Sequence, residues 1–271
     1  MFPLKDNVPS ERAPWMTLAL IALCLVLFGY QLTLSGEPGS GDGPRAISER
    51  EQFAITHGAI PARLLDPGAG CSLSSDENGR GGSIGCGESA AAPAGSVETA
   101  PWLVSLAFSL FLSAGLLALL LNVLFLWMLG NTLEDDLGRL GLLALFVAGG
   151  VGGLYLQALL SPDSTLPLAG TAGGVGAVLG AYLLLHPRAK VLVVSMLPLL
   201  GGFVELPVLP LVALWTVLQL PPAISELSPA GLSGEAPAVY VVGAGGLLLG
   251  LAMISGRRAL RSVNALPGGS A

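Results

Sequence analysis

The stretch LPLAGTAGGVGAVLGAY, residues 166–182, decides the fold of this chain. It is an apolar segment whose glycines recur at helical spacing, and a second glycine pattern of the same kind follows later in the chain. The glycines are Gly173, Gly176 and Gly180 in this stretch and Gly246 and Gly250 later. Glycines lack the side chains that hold neighbouring helices apart. The pattern therefore predicts two helices that meet closely, although generic helix packing in a membrane would explain it by itself.

The composition around this stretch is that of a membrane protein. Of 271 residues, 52% are hydrophobic and only 11% charged, whereas a soluble domain carries about 25% charged residues. A helix needs about 20 apolar residues to cross a bilayer. Runs of that kind occur at Trp15–Leu34, Trp102–Gly130, Leu140–Leu160, Leu166–Leu185, Val191–Leu220 and Ala236–Ile254. The sequence therefore predicts an all-α polytopic membrane protein, a bundle of six transmembrane helices.

The basic residues orient this bundle, because Lys and Arg near the ends of spans stay cytoplasmic. Eight of the twelve fall on one side of the predicted membrane: Lys5, Arg12, Arg139, Arg188, Lys190, Arg257, Arg258 and Arg261. The other four lie in the long first connection, which holds nine acidic residues. We therefore expect a multi-pass protein of a bacterial inner (plasma) membrane with both termini cytoplasmic. The acidic connection indicates a solvated extracytoplasmic loop and not a nucleic-acid surface.

The chain divides into five predicted parts. They are a cytoplasmic tail (1–14), a first transmembrane helix (15–34), a long extracytoplasmic loop (35–112), a core of five further helices (113–255) and a basic cytoplasmic tail (256–271). The first helix is longer than the apolar region of a signal peptide and no A-x-A-like site follows it, so we expect it to be retained. Within the loop, residues 35–46 and 67–100 are rich in Gly, Ser, Ala and Pro and predicted mobile. The apolar residues between them predict an ordered segment at the outer interface.

Two of the three cysteines lie in the predicted extracytoplasmic loop. A disulfide between Cys71 and Cys86 would persist in that compartment, and closing a loop of about 15 residues would contribute about 3 kcal/mol of local constraint. Two free thiols or a zinc pair are the weaker alternative, since only His57 and no further cysteine share the compartment. Cys24, inside the first span, is expected to be a small buried apolar residue.

The fifth apolar run contains several helix breakers. They are Pro198, Gly201, Gly202, Glu205, Pro207 and Pro210. Breakers inside a membrane segment are tolerated where protein or water satisfies the freed backbone groups. We therefore expect a fifth span with a kink or a short irregular piece, and Glu205 near its cytoplasmic or cavity side.

Several blocks, in order along the chain, resemble helices of the rhomboid intramembrane serine proteases. Leu120–Leu143 resembles the second helix and the turn after it, Leu166–Val191 the fourth, Phe203–Leu220 the fifth and Gly243–Gly250 the sixth. The motif residues of the second helix and its turn are Asn122, Phe125, Trp127, Gly130, Glu134, Asp135, Gly138 and Arg139. The run from Phe53 to Arg63 also resembles the family's first-loop motif. The resemblance covers roughly residues 50–66 and 102–255 and implies a rhomboid-like six-helix bundle.

The resemblance also implies a site whose chemistry is missing. Family members cleave peptides with a serine on the fourth helix and a histidine base on the sixth, while histidine and asparagine on the second hold the oxyanion. A serine hydroxyl is a poor nucleophile without a base, and the oxyanion needs preorganised donors. This chain has Ala172 at the nucleophile position and Gly243 at the base position. The oxyanion positions hold Ala118 and Asn122, so only Asn122 is retained, and Ser113 stands at a second lost histidine position.

Other polar residues are weak candidates to replace the lost groups. The hydroxyls of Thr171 and Ser113 would still need a base. We expect His57, in the outer loop, to be an interfacial imidazole and not an improvised base, and His186, before Pro187, to be an interface residue. For Asn122 an interhelical hydrogen bond is favoured over a residual substrate-binding amide.

The sequence therefore predicts a rhomboid-like integral membrane protein that binds or regulates transmembrane client proteins without cleaving them. The alternative is an intramembrane serine endopeptidase of the rhomboid family, the activity that the fold alone would suggest. A channel or transporter would need intramembrane ionisable residues or paired broken helices, and only Glu205 and the broken fifth run offer either. Membrane lipids and client helices are the expected partners; no nucleic acid, cofactor or metal is expected.

Overall fold

The structure is a computed structural model that describes residues 2–6, 13–34, 49–68, 71–75, 82–86, 100–113, 115–195, 202–218 and 238–264. In chain order the elements are β1 (Phe2–Asp6), α1 (Trp15–Thr33), α2 (Glu49–His57), α3 (Pro61–Leu65), β2 (Cys71–Ser75), β3 (Gly82–Cys86), α4 (Trp102–Ser109), α5 (Leu116–Leu137), α6 (Arg139–Leu160), α7 (Thr171–Leu185), β4 (Lys190–Ser195), β5 (Gly202–Pro207), α8 (Val208–Leu218) and α9 (Ala238–Asn264). Helices dominate, which confirms the predicted all-α bundle.

The bundle is built around α7, whose residues from Thr171 to Tyr182 are all buried. Leucines, Phe146 and Tyr182 from α5, α6 and α7 form the largest apolar core. Gly138 joins α5 to α6 with a φ of 77°, a conformation that favours glycine. We call the end of the bundle near this turn the Gly138 end and the opposite end, where α7 begins, the Gly170 end.

Four of the described helices are long and apolar enough to cross a membrane. They are Trp15–Thr33, Leu116–Leu137, Arg139–Leu160 and Val241–Ala259, the last within α9. The other two apolar runs form shorter helices, Thr171–Leu185 and Val208–Val217. The six predicted runs thus yield four full-length spans in the described part of the chain.

The fourth run does not form a helix from end to end. Its helix begins at Thr171 and has 15 residues, about 22 Å long at 1.5 Å per residue, against a hydrocarbon core of about 30 Å. The preceding residues are bonded to other segments: Leu168 N donates to Ala59 O over 2.8 Å and Gly170 N donates to Ser109 O over 2.7 Å. The helix start is therefore recessed within the bundle at the Gly170 end.

The fifth run is interrupted, as predicted, but by a pair of strands and not by a kink or a short irregular piece. β4 and β5 form an antiparallel pair, and β4 also pairs with the N-terminal strand β1. Only the last part of the run, Val208–Leu218, is helical. The valines at positions 191, 193 and 194 favour a strand, and Pro207 ends β5 where the helix begins. Pro210 falls within the first turn of α8, where proline is tolerated.

Two other boundaries differ from prediction. The second run divides into α4, which ends at Ser109, and α5, which begins at Leu116. The last helix continues to Asn264, so the predicted tail from residue 256 begins as helix. An apolar run marks what can enter a membrane but not where the backbone turns, which explains both differences.

The first loop contains more structure than predicted. β2 and β3 pair with Cys71 opposite Cys86, and the predicted disulfide joins them. The composition of this segment did not predict these two strands, which the backbone pairing and the covalent bond hold together. The predicted ordered segment forms α2 and α3. Residues 35–46, also predicted mobile, lie outside the described residues.

Candidate functional site

The candidate site lies beside the contact between α7 and α9, which run parallel. A Cβ added to Gly246 would overlap the carbonyl of Gly173, and one added to Gly250 would overlap the carbonyl of Ala177. In the other direction, a Cβ at Gly176 would overlap the carbonyl of Gly243, and one at Gly180 would overlap the carbonyl of Leu247. The two backbones touch, so these glycines leave no room for any side chain. We call this contact the glycine seam.

Ala172 and Gly243 face each other at the Gly170 end of the seam. A Cβ built on Gly243 lies 3.8 Å from the Cβ of Ala172, which is ordinary van der Waals contact. Ala172 is 4% exposed. The structure thus brings these two sequence-predicted positions together in a buried place.

Trp215 of α8 fills the space beside them. Its Cη2 atom is 3.1 Å and its Cζ3 atom 3.7 Å from the Cβ built on Gly243. The indole is 2% exposed, and its ring centroid lies 6.4 Å from that of Phe125 in an edge-to-face contact. Its Nε1 has no hydrogen-bond partner among the described residues. Even the methyl group of an alanine at position 243 would therefore press against the indole, and a longer side chain would displace it.

The second-helix positions add little polarity to this place. Ala118 and Asn122 are both 2% exposed, one helical turn apart on α5. The Asn122 amide is engaged within the described part of the chain. The Oγ of Ser113 is buried and has no partner among the described residues. Of the two second-helix positions predicted to line the site, only Asn122 carries a polar side chain.

The hydroxyl of Thr171, at the start of α7, forms a hydrogen bond to a backbone carbonyl. Its Oγ1 donates to the carbonyl of Leu112 over 2.6 Å, and its side chain also contacts the thiol of Cys24. Thr171 is 1% exposed. A hydroxyl that donates to a backbone carbonyl faces no base that would take its proton.

Neither histidine is placed to act as the base that would take the proton of the Thr171 hydroxyl. His57 lies in an aromatic cluster, with ring centroids 4.6 Å from Phe53 and 5.2 Å from Phe108, and its Nδ1 is 3.3 Å from the Phe53 carbonyl. His186 lies at the Gly138 end, where its Nε2 is 2.6 Å from an Asp136 oxygen. Thr171 is not among the neighbours described for either imidazole.

The segment that contains α2 and α3 is held at the Gly170 end by hydrogen bonds. The Oγ of Ser109 accepts a hydrogen bond from Ala59 N, and the Nη2 of Arg63 donates to Ala100 O over 3.1 Å. Arg63 is buried, and burial lowers the pKa of its guanidinium from the ordinary value. Sequence reasoning missed these contacts, although the apolar residues of this segment predicted that it is ordered.

The motif residues after the second helix form a separate polar centre at the Gly138 end. The carboxylate of buried Glu134 accepts hydrogen bonds from Met16 N (3.0 Å), Thr17 N (2.8 Å) and the Thr17 hydroxyl (2.9 Å). Arg139 approaches it at 3.7 Å from the surface. These amides are the unpaired donors of the first turn of α1, where a carboxylate is favourable. The sequence marked Glu134 but not its partner, 117 positions earlier. Trp127 is about half exposed.

The arrangement offers apolar surface and little chemistry. Among the described residues, no group of three or more His, Cys, Asp or Glu side chains is placed to hold a metal ion. Ala172, Gly243 and the indole of Trp215 provide neither nucleophile nor base. What they provide is a closely packed apolar place between α5, α7, α8 and α9.

Comparison with known proteins gives one match. The family model called Rhomboid domain matches residues 101–255, more than half of the chain and the whole stretch from α4 to most of α9. No curated protein and no solved structure matches the chain.

Proposed function

The chain belongs to the rhomboid family of membrane proteins, and on that premise we propose that it binds or regulates transmembrane helices of other proteins without cleaving them. The family match and the apolar helices make it an integral membrane protein. The loss of catalysis and the client-binding role are the proposal.

The place where Ala172 meets Gly243 carries this proposal. Their Cβ positions are 3.8 Å apart, so a nucleophile and a base at these two positions would have been neighbours. In this chain, position 172 carries a methyl group and position 243 only a hydrogen in place of those two groups. Removing a whole catalytic dyad leaves only the residual assistance of binding and oxyanion contacts, and Trp215 occupies part of the space that an imidazole at position 243 would need.

The same surroundings favour the holding of a helix. Helices associate in lipid chiefly by van der Waals packing and interhelical hydrogen bonds, and the side chains here are apolar apart from Asn122 and the indole N–H. Trp215 of α8 packs edge-to-face against Phe125 of α5. A client helix would reach Ala172 by displacing the indole, and the Nε1–H would then find an acceptor on the client.

A first experiment tests the absence of catalysis. The purified full chain is incubated with a fluorophosphonate probe and a model transmembrane substrate, with an active serine hydrolase as the positive control. We expect neither labelling nor cleavage. Cleavage that disappears in Thr171→Val or His57→Ala would instead establish the alternative, an intramembrane serine endopeptidase with an improvised site.

A second experiment tests client binding. A photoreactive residue is placed at Val217, which is 55% exposed on α8, and at Val26, which is 66% exposed on α1, as the matched control. Crosslinking in native membranes should capture the transmembrane segment of another protein from Val217 and only lipid from Val26. Lipid alone from both positions would contradict the proposal.

We also propose that both termini face the cytoplasm. The support is the placement of eight basic residues on one side of the predicted membrane, together with a disulfide in the loop on the other side. Reporter fusions at the two termini and within residues 87–99 test it, and a terminal reporter active only outside the cytoplasm would overturn it.

A further inference from the structure

The Gly138 end carries more positive charge than its carboxylates neutralise. Glu134 is occupied by the amides of α1, Asp136 by His186 and Glu205 by Lys190. Asp135 also has a partner. The acidic side chains described at this end are therefore already engaged.

Three arginines at the same end are left without a carboxylate. Arg188 lies in the turn after α7, and Arg257 and Arg258 lie on α9; all three are exposed. None is within 4.0 Å of a carboxylate among the side chains that the structure describes. Together they form what we call the arginine cluster.

Arg258 brings the two helices of this cluster together. Its Nη2 donates to the carbonyl of Leu184 in the last turn of α7, over 2.6 Å. This bond holds the Arg258 side chain, on α9, beside the turn that carries Arg188. The remaining guanidinium donors stay available, and a guanidinium presents five donors in a planar fork.

The depth of the cluster identifies its ligand class. The apolar span of α9 is Val241–Ala259, so Arg257 and Arg258 lie at its very end. This is the level of the lipid headgroups. Arginine forks match phosphate oxygens, and basic pockets between membrane helices bind anionic headgroups.

We propose that the arginine cluster binds the phosphate of an anionic phospholipid beside the ends of α7 and α9. The ligand is a lipid and not free phosphate, because the acyl chains would lie along the exposed apolar face of α9. Leu248 and Met253 of α9 are 61% and 39% exposed. The inference does not depend on whether the Ala172 site binds clients.

Native mass spectrometry of the full chain in detergent tests it. The protein is offered phosphatidylglycerol and phosphatidylcholine at equal concentrations, and the ratio of retained lipids is measured. We expect a preference for phosphatidylglycerol that falls about fivefold for each arginine changed to glutamine. The triple variant Arg188→Gln/Arg257→Gln/Arg258→Gln should retain both lipids about equally.

Matched variants separate charge from position. Lys190→Gln removes a charge at the same end that is already paired with Glu205, and Arg50→Gln removes one that donates to Gln31 O at the Gly170 end; both should keep the preference. Arg188→Gln, in a turn, gives the same test if the triple variant does not fold. An unchanged preference in these cluster variants overturns the proposal, as does complete release of the lipid by inorganic phosphate.

Discussion

The glycine seam and the Ala172 site lie side by side on the same two helices, yet their glycines differ in what an added side chain would contact. At Gly176, Gly180, Gly246 and Gly250 an added Cβ would overlap a backbone carbonyl of the partner helix. At Gly243 it would meet only the tip of an indole ring at 3.1 Å and the methyl of Ala172 at 3.8 Å. The seam cannot accept a side chain, whereas position 243 can accept at least a small one.

This difference distinguishes the glycines that the packing of the two helices requires from a glycine that it does not require. A backbone carbonyl cannot move aside without separating the helices, but an indole can shift by a few tenths of an ångström. The seam glycines are thus required by packing, and glycine at 243 is not. Gly243 lies at the position where we propose that the catalytic base of the family has been lost.

The largest expected effect comes from adding a methyl group to the seam. Gly246→Ala would drive its Cβ into the Gly173 carbonyl and should lower the free energy of unfolding by at least about 3 kcal/mol, the upper part of the overpacking range. Thermal unfolding in detergent measures it. Gly256→Ala is the matched control on the same helix, with nothing within 4 Å of its Cβ; a similar loss in both variants would break the comparison.

The next effect concerns the family motif that lies outside both regions. Glu134→Gln replaces the carboxylate that accepts three hydrogen bonds from the start of α1, and we expect a loss of about 2 kcal/mol because bonds to a charged group are the stronger kind. Arg139→Gln, which removes only a 3.7 Å ion pair made by an arginine side chain that is 61% exposed, should cost less than about 0.5 kcal/mol. Equal losses in the two unfolding curves would show that the ion pair, and not the helix cap, is what matters.

Gly243→Ala is the direct counterpart of the seam variant. Alanine gains about 0.5–1 kcal/mol over glycine within a helix, and the contact with Trp215 offsets part or all of that gain. The free energy of unfolding should therefore change by less than about 1 kcal/mol. Adding Trp215→Leu should leave the effect of Gly243→Ala more favourable. A loss as large as that of Gly246→Ala would mean that position 243 belongs to the seam.

The smallest effect is expected from the disulfide. Reduction of Cys71–Cys86 frees a hairpin whose strands pair with each other, so protease cleavage between residues 71 and 86 should become faster. The constraint of about 3 kcal/mol is local to this loop, and the melting temperature of the bundle should stay nearly unchanged. A clear fall of the melting temperature on reduction would place the hairpin within the folding unit of the bundle.

Sequence reasoning reached the fold more readily than the site. Long apolar runs specify membrane helices whatever their neighbours are, so the bundle and its membrane class were predictable. The irregular parts were not. The run from Val191 to Leu220 is apolar both as strand and as helix, and only the pairing of β4 with β1 and β5 selects the strand.

At the site, residue identities were readable but contacts were not. The resemblance predicts that Ala172 and Gly243 stand where the rhomboid family has its dyad, and that prediction needs no structure. Trp215 is one tryptophan in an apolar helix, and nothing in its sequence surroundings indicates that its ring lies against Gly243. Glu134 likewise was a motif residue with an unknown partner.

The sequence by itself determined that this is a membrane protein with glycine-lined helices, because hydropathy and glycine spacing act locally along each helix, and the resemblance of its motif blocks predicted the rhomboid family. Only the tertiary structure decided which glycines are indispensable, what fills the space beside Ala172, and which arginines remain unpaired. Those properties depend on atoms brought together from distant parts of the chain, at separations of a few ångströms that no spacing along one helix encodes.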